Sequence, residues 1–131
     1  MTWQGTDTSN ADFPGATTIL AATQTAVANG GGTVHYFPTG DIDDAVSPDV
    51  IMVVLAENPY AEGAGDRSDL NWPAAHAVFL ERVQKWRSNG VPVVTLFLTG
   101  RPIWINPEIN DSDAVVTAWL PGTEALGITD V

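Results

Sequence analysis

Four apolar runs set the frame of this chain. Val50-Ile51-Met52-Val53-Val54-Leu55 and Val93-Val94-Thr95-Leu96-Phe97-Leu98 are short, continuous and rich in β-branched residues, which reads as buried strand. Thr33-Val34-His35-Tyr36-Phe37 has the same β-rich character. The fourth run, Ala114 to Leu120, breaks at Pro121-Gly122. Helical spacing fills the intervals. Ile19, Leu20, Thr23 and Val27 form a weak apolar stripe after Pro14, and Asn29-Gly30-Gly31-Gly32 ends it. A second stripe begins at Pro73, carries Ala77, Leu80, Val83, Gln84 and Trp86, and stops at Asn89-Gly90. Asp41 to Ala45 reads as a turn or a single helical turn.

Strand, helix, strand, helix, strand in alternation predicts an α/β fold. The expected architecture is a mainly parallel sheet flanked by helices, a flavodoxin-like α/β sandwich. The two long strands lack polar alternation, which predicts cover on both faces. Residues 1–14 read as an extended segment entering from a preceding domain. Residues 15–131 read as the sandwich, apparently truncated at its C-terminus because a final strand or helix is wanting after Gly127-Ile128-Thr129-Asp130.

Length and charge narrow the function classes. At 131 residues the chain is about one domain. With no cysteine, disulfides and thiolate chemistry are excluded. The net charge is −11, and all five basic residues lie between Arg67 and Arg101. Such a surface repels nucleic acid and anionic membranes. It suits a neutral partner such as a sugar, or a cationic one. No apolar stretch is long enough to span a bilayer.

Candidate chemistry gathers where the first long strand ends. Val53-Val54-Leu55-Ala56 runs into Glu57-Asn58-Pro59-Tyr60-Ala61-Glu62-Gly63-Ala64-Gly65-Asp66. In open α/β sheets the ligand crevice lies beyond the carboxyl ends of the strands. Three carboxylates there are candidates for acid–base work, set against a solvated loop in which Asp66 pairs Arg67. Glu62, followed by flexible glycines, is the strongest candidate. Glu57, at the strand end, is read as holding the loop through backbone hydrogen bonds. Arg101, in Thr99-Gly100-Arg101-Pro102 after the next strand, either approaches the crevice or forms a structural salt bridge, the second being the stronger reading. Trp3 and Trp72 lie in polar segments and are candidate sugar-stacking indoles, against ordinary packing. Trp86 and Trp119 are assigned to the core, and Trp104 to neither class. His35 and His76, in a predicted strand and helix, make no metal site, since a third ligand at suitable spacing is wanting. The three glycines at 30–32 follow a helix and lack the lysine of a phosphate loop.

Four motifs stand in order: Trp3-Gln4-Gly5, the Ala56–Arg67 segment, Leu98-Thr99-Gly100-Arg101-Pro102-Ile103-Trp104-Ile105-Asn106-Pro107-Glu108, and Ala118-Trp119-Leu120-Pro121-Gly122-Thr123-Glu124. Together they closely resemble the second, α/β-sandwich domain of glycoside hydrolase family 3, nearest its bacterial exo-β-glucanases and β-glucosidases. The resemblance implies a two-domain retaining enzyme that removes terminal β-glucosyl units and takes a β-glucan or β-glucoside as substrate. A barrel domain carries the aspartate nucleophile, and the sandwich supplies the general acid/base. It implies that role for Glu62 and a sugar-stacking role for Trp3; Glu57, Tyr60, Asp66 and Arg101 are expected to support the loop. It implies no cofactor and no metal, a parent enzyme that is periplasmic or secreted, and a chain that is silent without its barrel. The alternative is a non-catalytic carbohydrate-binding or interaction module of the same fold. A flavodoxin-like nucleotide binder fits poorly, because phosphate-loop glycines are missing after the first strand.

Overall fold

The computed structural model describes residues 7–72 and 77–130. They divide into two compact units. The unit formed by Phe37–Glu57 and Arg67–Trp119 contains the sheet. Its strands are β1 (Ile51–Ala56), β2 (Val93–Leu98) and β3 (Ala114–Thr117). Among the described residues they form one parallel sheet in the order β1-β2-β3. The register pairs Ile51 with Val93 and Leu55 with Phe97 on one side, and Leu96 with Val116 on the other. Parallel neighbours need a crossover between them, and helix α2 (Ala77–Ser88) makes the one from β1 to β2. The short helix α3 (Asn106–Asn110), with Pro107 in its first turn, lies between β2 and β3.

The core of this unit sits between the sheet and α2. Ile51, Val53 and Leu55 from β1, Val93 and Phe97 from β2, and Leu80 and Val83 from α2 are buried together with Trp72. The Trp72 and Phe97 rings meet edge to face, with centroids 5.2 Å apart. Thr95 is fully buried in β2, and its hydroxyl lies 2.6 Å from Ser112 Oγ. Ser112 Oγ in turn donates to the Glu108 carbonyl at 2.7 Å, so the two buried hydroxyls are satisfied.

Asp113 ties three elements. It accepts from the Val93 N–H at 2.8 Å, at the first residue of β2. It also accepts from Arg87 Nε at 3.3 Å, at the end of α2, and it immediately precedes β3. The Val93 N–H foremost, and then the Arg87 guanidinium, hold its carboxyl below the usual carboxylate range.

The second unit draws on Met1–Tyr36, Asn58–Asp66 and Leu120–Val131. Helix α1 (Ile19–Asn29) starts at Thr18, whose side chain accepts from the Ala21 N–H. It stops at Gly30, and Gly31 follows at φ +82°. The helix α4 (Leu126–Thr129) packs against α1. The two are joined at their starts by a bridge between Thr17 and Glu124.

The α/β class, the parallel sheet and the limits of β2 agree with the sequence reading. Three expectations do not, and two short helices go unforeseen. Among the described residues the run Thr33–Phe37 joins no ladder, and Tyr36 in it is 62% exposed. Strand propensity is expressed only where a neighbouring strand supplies hydrogen bonds, and this run ends in a turn at Pro38–Gly40. The strand β1 is not covered on both faces. Met52 and Val54 are each 41% exposed, and the core with α2 takes the face of Ile51, Val53 and Leu55. Within residues 1–14, Asn10–Asp12 form a 3-10 turn rather than extended chain. The Asp12 carboxylate closes it by accepting from the Ser9 N–H at 2.7 Å, and that bond lowers its pKa. Finally, α3 and α4, at 5 and 4 residues, are too short to leave a periodic signal. The predicted start of α2 at Pro73 lies outside the described residues. No helix among the described residues is long and apolar enough to cross a membrane.

Candidate active site

The chain leaves the sheet at the C-terminal end of β1 and places Glu57 there with 7% of its surface exposed. Its N–H continues the ladder, donating to the Leu98 carbonyl at 3.0 Å. Its carboxylate meets side chains from two loops of the same unit. The Thr99 hydroxyl, just past β2, lies 2.7 Å from Oε2. Arg101 Nε lies 3.2 Å from Oε1 and 3.4 Å from Oε2. One Arg67 guanidinium nitrogen lies 3.5 Å from Oε1, and the other donates to the Asn71 carbonyl at 3.0 Å. Burial of a carboxylate is tolerable only with such partners, and two guanidiniums on one carboxylate leave the cluster locally cationic in a chain of net charge −11. The partners described for the Glu57 carboxylate are thus a hydroxyl and two arginines. Arg101 pairs Glu57, the first carboxylate of the loop. Arg67 pairs Glu57.

Between Glu57 and Arg67 runs the segment Asn58–Asp66, which belongs to the second unit. Residues Glu62–Gly65 form a 3-10 turn. Ala64 N–H donates to the Ala61 carbonyl at 3.2 Å, and Asp66 N–H to the Gly63 carbonyl at 3.1 Å. The half-buried Tyr60 ring lies against Gly65 so closely that a Cβ there would sit 2.6 Å from Tyr60 Cδ2. A glycine is therefore required at 65 for contact, and the loop packs on itself. Glu62 opens the turn at φ +49° with its side chain exposed. A left-handed backbone in a residue with a Cβ costs about 1–3 kcal/mol, and such strain concentrates at active sites, ligand clamps and switch regions.

Of the residues singled out from sequence, Glu57 and Arg101 come together in the first unit, and Tyr60, Glu62 and Asp66 share the loop of the second. Trp3 and His76 lie outside the described residues. His35 is exposed. Of the indoles, Trp72 takes the ordinary packing weighed against stacking, and the core assignment of Trp119 is reversed. Trp72 is 6% exposed and belongs to the core, because its ring closes the gap beside Phe97. Trp119 is 55% exposed, because β3 ends at Thr117 and the backbone turns at Trp119 to φ +53°. Trp104 is half exposed. Sequence reasoning misses Thr99 and Arg67 as members of the site. Their signal is thin: a threonine directly after a strand, and the first basic residue of the chain placed at the end of an acidic loop.

Comparison with known proteins covers nearly all of the chain. Residues 2–131 match the model of the glycosyl hydrolase family 3 C-terminal domain. The fold superposes on the crystal structure of an exo-1,3/1,4-beta-glucanase from a Pseudoalteromonas species, with a TM-score of 0.86 and 45% identity over 98% of this chain. The chain is 34% identical over 93% of its length to a lysosomal beta glucosidase of Dictyostelium discoideum. It is 28% identical over 66% of its length to a periplasmic beta-glucosidase of Salmonella typhimurium. It spans 16%, 16% and 12% of those three proteins.

Proposed function

The chain belongs to glycosyl hydrolase family 3 as its C-terminal domain, and from that premise we propose that it supplies the general acid/base of a retaining, exo-acting β-glucosidase or β-glucan glucohydrolase. Glu62 is the residue proposed for the role. The observation that carries the reading is its backbone: an exposed glutamate in a strained left-handed conformation, in a loop that leaves the C-terminal end of a parallel strand.

A retaining glycosidase sets two carboxyl groups about 5–5.5 Å apart across the scissile bond. In the proposed division of labour an aspartate on a barrel domain attacks the anomeric carbon. Glu62 protonates the departing glycosidic oxygen. The leaving sugar departs, and Glu62, now a carboxylate, takes a proton from the water that cleaves the glycosyl–enzyme ester. Trp3 offers a flat apolar face to the sugar that leaves, and Tyr60 and Asp66 shape the loop. With the nucleophile on another domain, the 131 residues alone turn over no aryl β-glucoside. The parent enzyme is proposed to be periplasmic or secreted, in line with the Salmonella relative's name.

The test is the leaving-group dependence of Glu62→Ala in the intact enzyme. Substrates whose leaving groups need protonation should lose about 10²–10⁴-fold in kcat/KM, the range of general acid catalysis, while dinitrophenyl β-glucoside loses far less. A variant that keeps wild-type activity on unactivated glucosides removes the acid role and leaves the chain a carbohydrate-binding module.

A further inference from the structure

The loop that carries Glu62 has a neck, and the neck is an ion pair. The chain leaves the sheet-bearing unit at Glu57 and rejoins it at Arg67. These two residues face each other, Arg67 guanidinium to Glu57 Oε1, at 3.5 Å. Each is tied back to the framework of that unit. Glu57 is held by the Leu98 carbonyl, Thr99 and Arg101. On the other side the Asn71 carbonyl accepts from Arg67, and the Asn71 side chain and N–H are fixed by Asp69 Oδ1 at 2.6 and 2.9 Å. Trp104 N–H donates to the Leu70 carbonyl at 2.9 Å, which binds that stretch to the segment after β2. Inside the neck the loop packs on itself through Tyr60 and Gly65. Close ends and internal packing are the marks of a compact Ω-type loop, a class that is frequently functional.

Stability alone is a poor reason for this arrangement. A carboxylate with 7% exposure carries a desolvation penalty that a second guanidinium, itself 29% exposed, returns only in part. An ion pair does fix the separation and direction of the two chain ends that it joins. We propose that Arg67 is a positioning residue for the acid/base step: by clasping Glu57 it sets the span of the loop, and so where Glu62 delivers its proton. The proposal rests on the reading of Glu62 as the acid/base.

The experiment uses the intact enzyme with Arg67→Met, Arg67→Lys and Glu62→Ala, each assayed on dinitrophenyl β-glucoside and on a β-linked glucose disaccharide. Departure of dinitrophenolate needs no proton, whereas the disaccharide needs one. Displacing a catalytic group by about 1 Å costs on the order of 10²-fold. Arg67→Met is therefore expected to lose about 10- to 100-fold in kcat/KM on the disaccharide and under about threefold on the activated glucoside. Arg67→Lys is expected to recover most of the loss. The ratio of the two substrates is internal to each preparation, so unfolded protein cancels. Equal losses on both substrates, or no loss on either, with Glu62→Ala still showing leaving-group dependence, overturn the clasp alone. A Glu62→Ala enzyme without leaving-group dependence overturns the acid/base reading and the clasp with it.

Discussion

Glu57→Ala should be the most damaging single change at this site, although Glu57 is assigned no chemical step. The described side-chain partners that it loses are Thr99, Arg101 and Arg67. The Thr99 hydroxyl at 2.7 Å is a charge-assisted bond, but this group also lies 2.9 Å from the Arg101 carbonyl and keeps an acceptor, so its share is about 1 kcal/mol. Arg101, 15% exposed and 3.2 Å away, loses a nearly buried carboxylate, for about 1.5–3 kcal/mol. The Arg67 pair is longer and wetter and adds at most about 0.5 kcal/mol. The sum is about 2.5–4.5 kcal/mol, which overlaps the range for breaking a buried ion pair. For a chain of this length that is a drop of roughly 10–15 °C in Tm. Urea unfolding followed by tryptophan fluorescence reads it directly, since Trp72 is packed on Phe97 in the core and is exposed only on unfolding. Glu57→Gln keeps the shape and an acceptor for Thr99, and should cost about half as much. A Glu57→Ala protein within about 1 kcal/mol of wild type would refute the reasoning, because it would mean that the cluster contributes geometry and no net stability.

Two further outcomes follow from the same structure. Gly65→Ala drives a methyl group into the Tyr60 ring, whose nearest atoms lie 2.6 and 3.0 Å from the new Cβ, and should cost about 1–3 kcal/mol locally. Amide exchange should accelerate across residues 58–66 and stay unchanged in β2, and Tyr60→Ala in the same chain should relieve it. Asp113 has a folded pKa below its unfolded value of about 3.9. Its contribution is therefore complete above about pH 4 and is lost as pH falls through the lower folded value. The urea midpoints of wild type and Asp113→Asn, compared from about pH 6 downward, should converge only below about pH 4; a constant difference across that range would contradict the linkage.

What the sequence makes legible here follows the range of the interactions. The strand β2 can be read to the residue because its apolar run is continuous and bounded by Pro92 and Gly100. The end of α2 can be read from Asn89-Gly90, with Gly90 at φ +88°. The position of the acidic loop follows from chain order alone. Partners far apart in sequence leave no such trace. Arg101 reaches Glu57 across 44 residues, and no periodicity encodes that. The indoles show the same limit: Trp72 and Trp119 each sit between polar and apolar stretches, and tertiary packing decides their burial. The run Thr33–Phe37 shows that β propensity without a partner in the ladder does not make a strand.

The most direct test of the central claim is azide rescue of Glu62→Ala in the intact enzyme. With the acid/base removed, an activated glucoside still forms the glycosyl–enzyme ester, and its hydrolysis stalls for want of a base. Azide needs no proton removed and should attack the ester from the face that water uses. Turnover should rise with azide concentration, and NMR should identify the product as β-glucosyl azide. Turnover indifferent to azide, with glucose as the sole product, would contradict the assignment of Glu62.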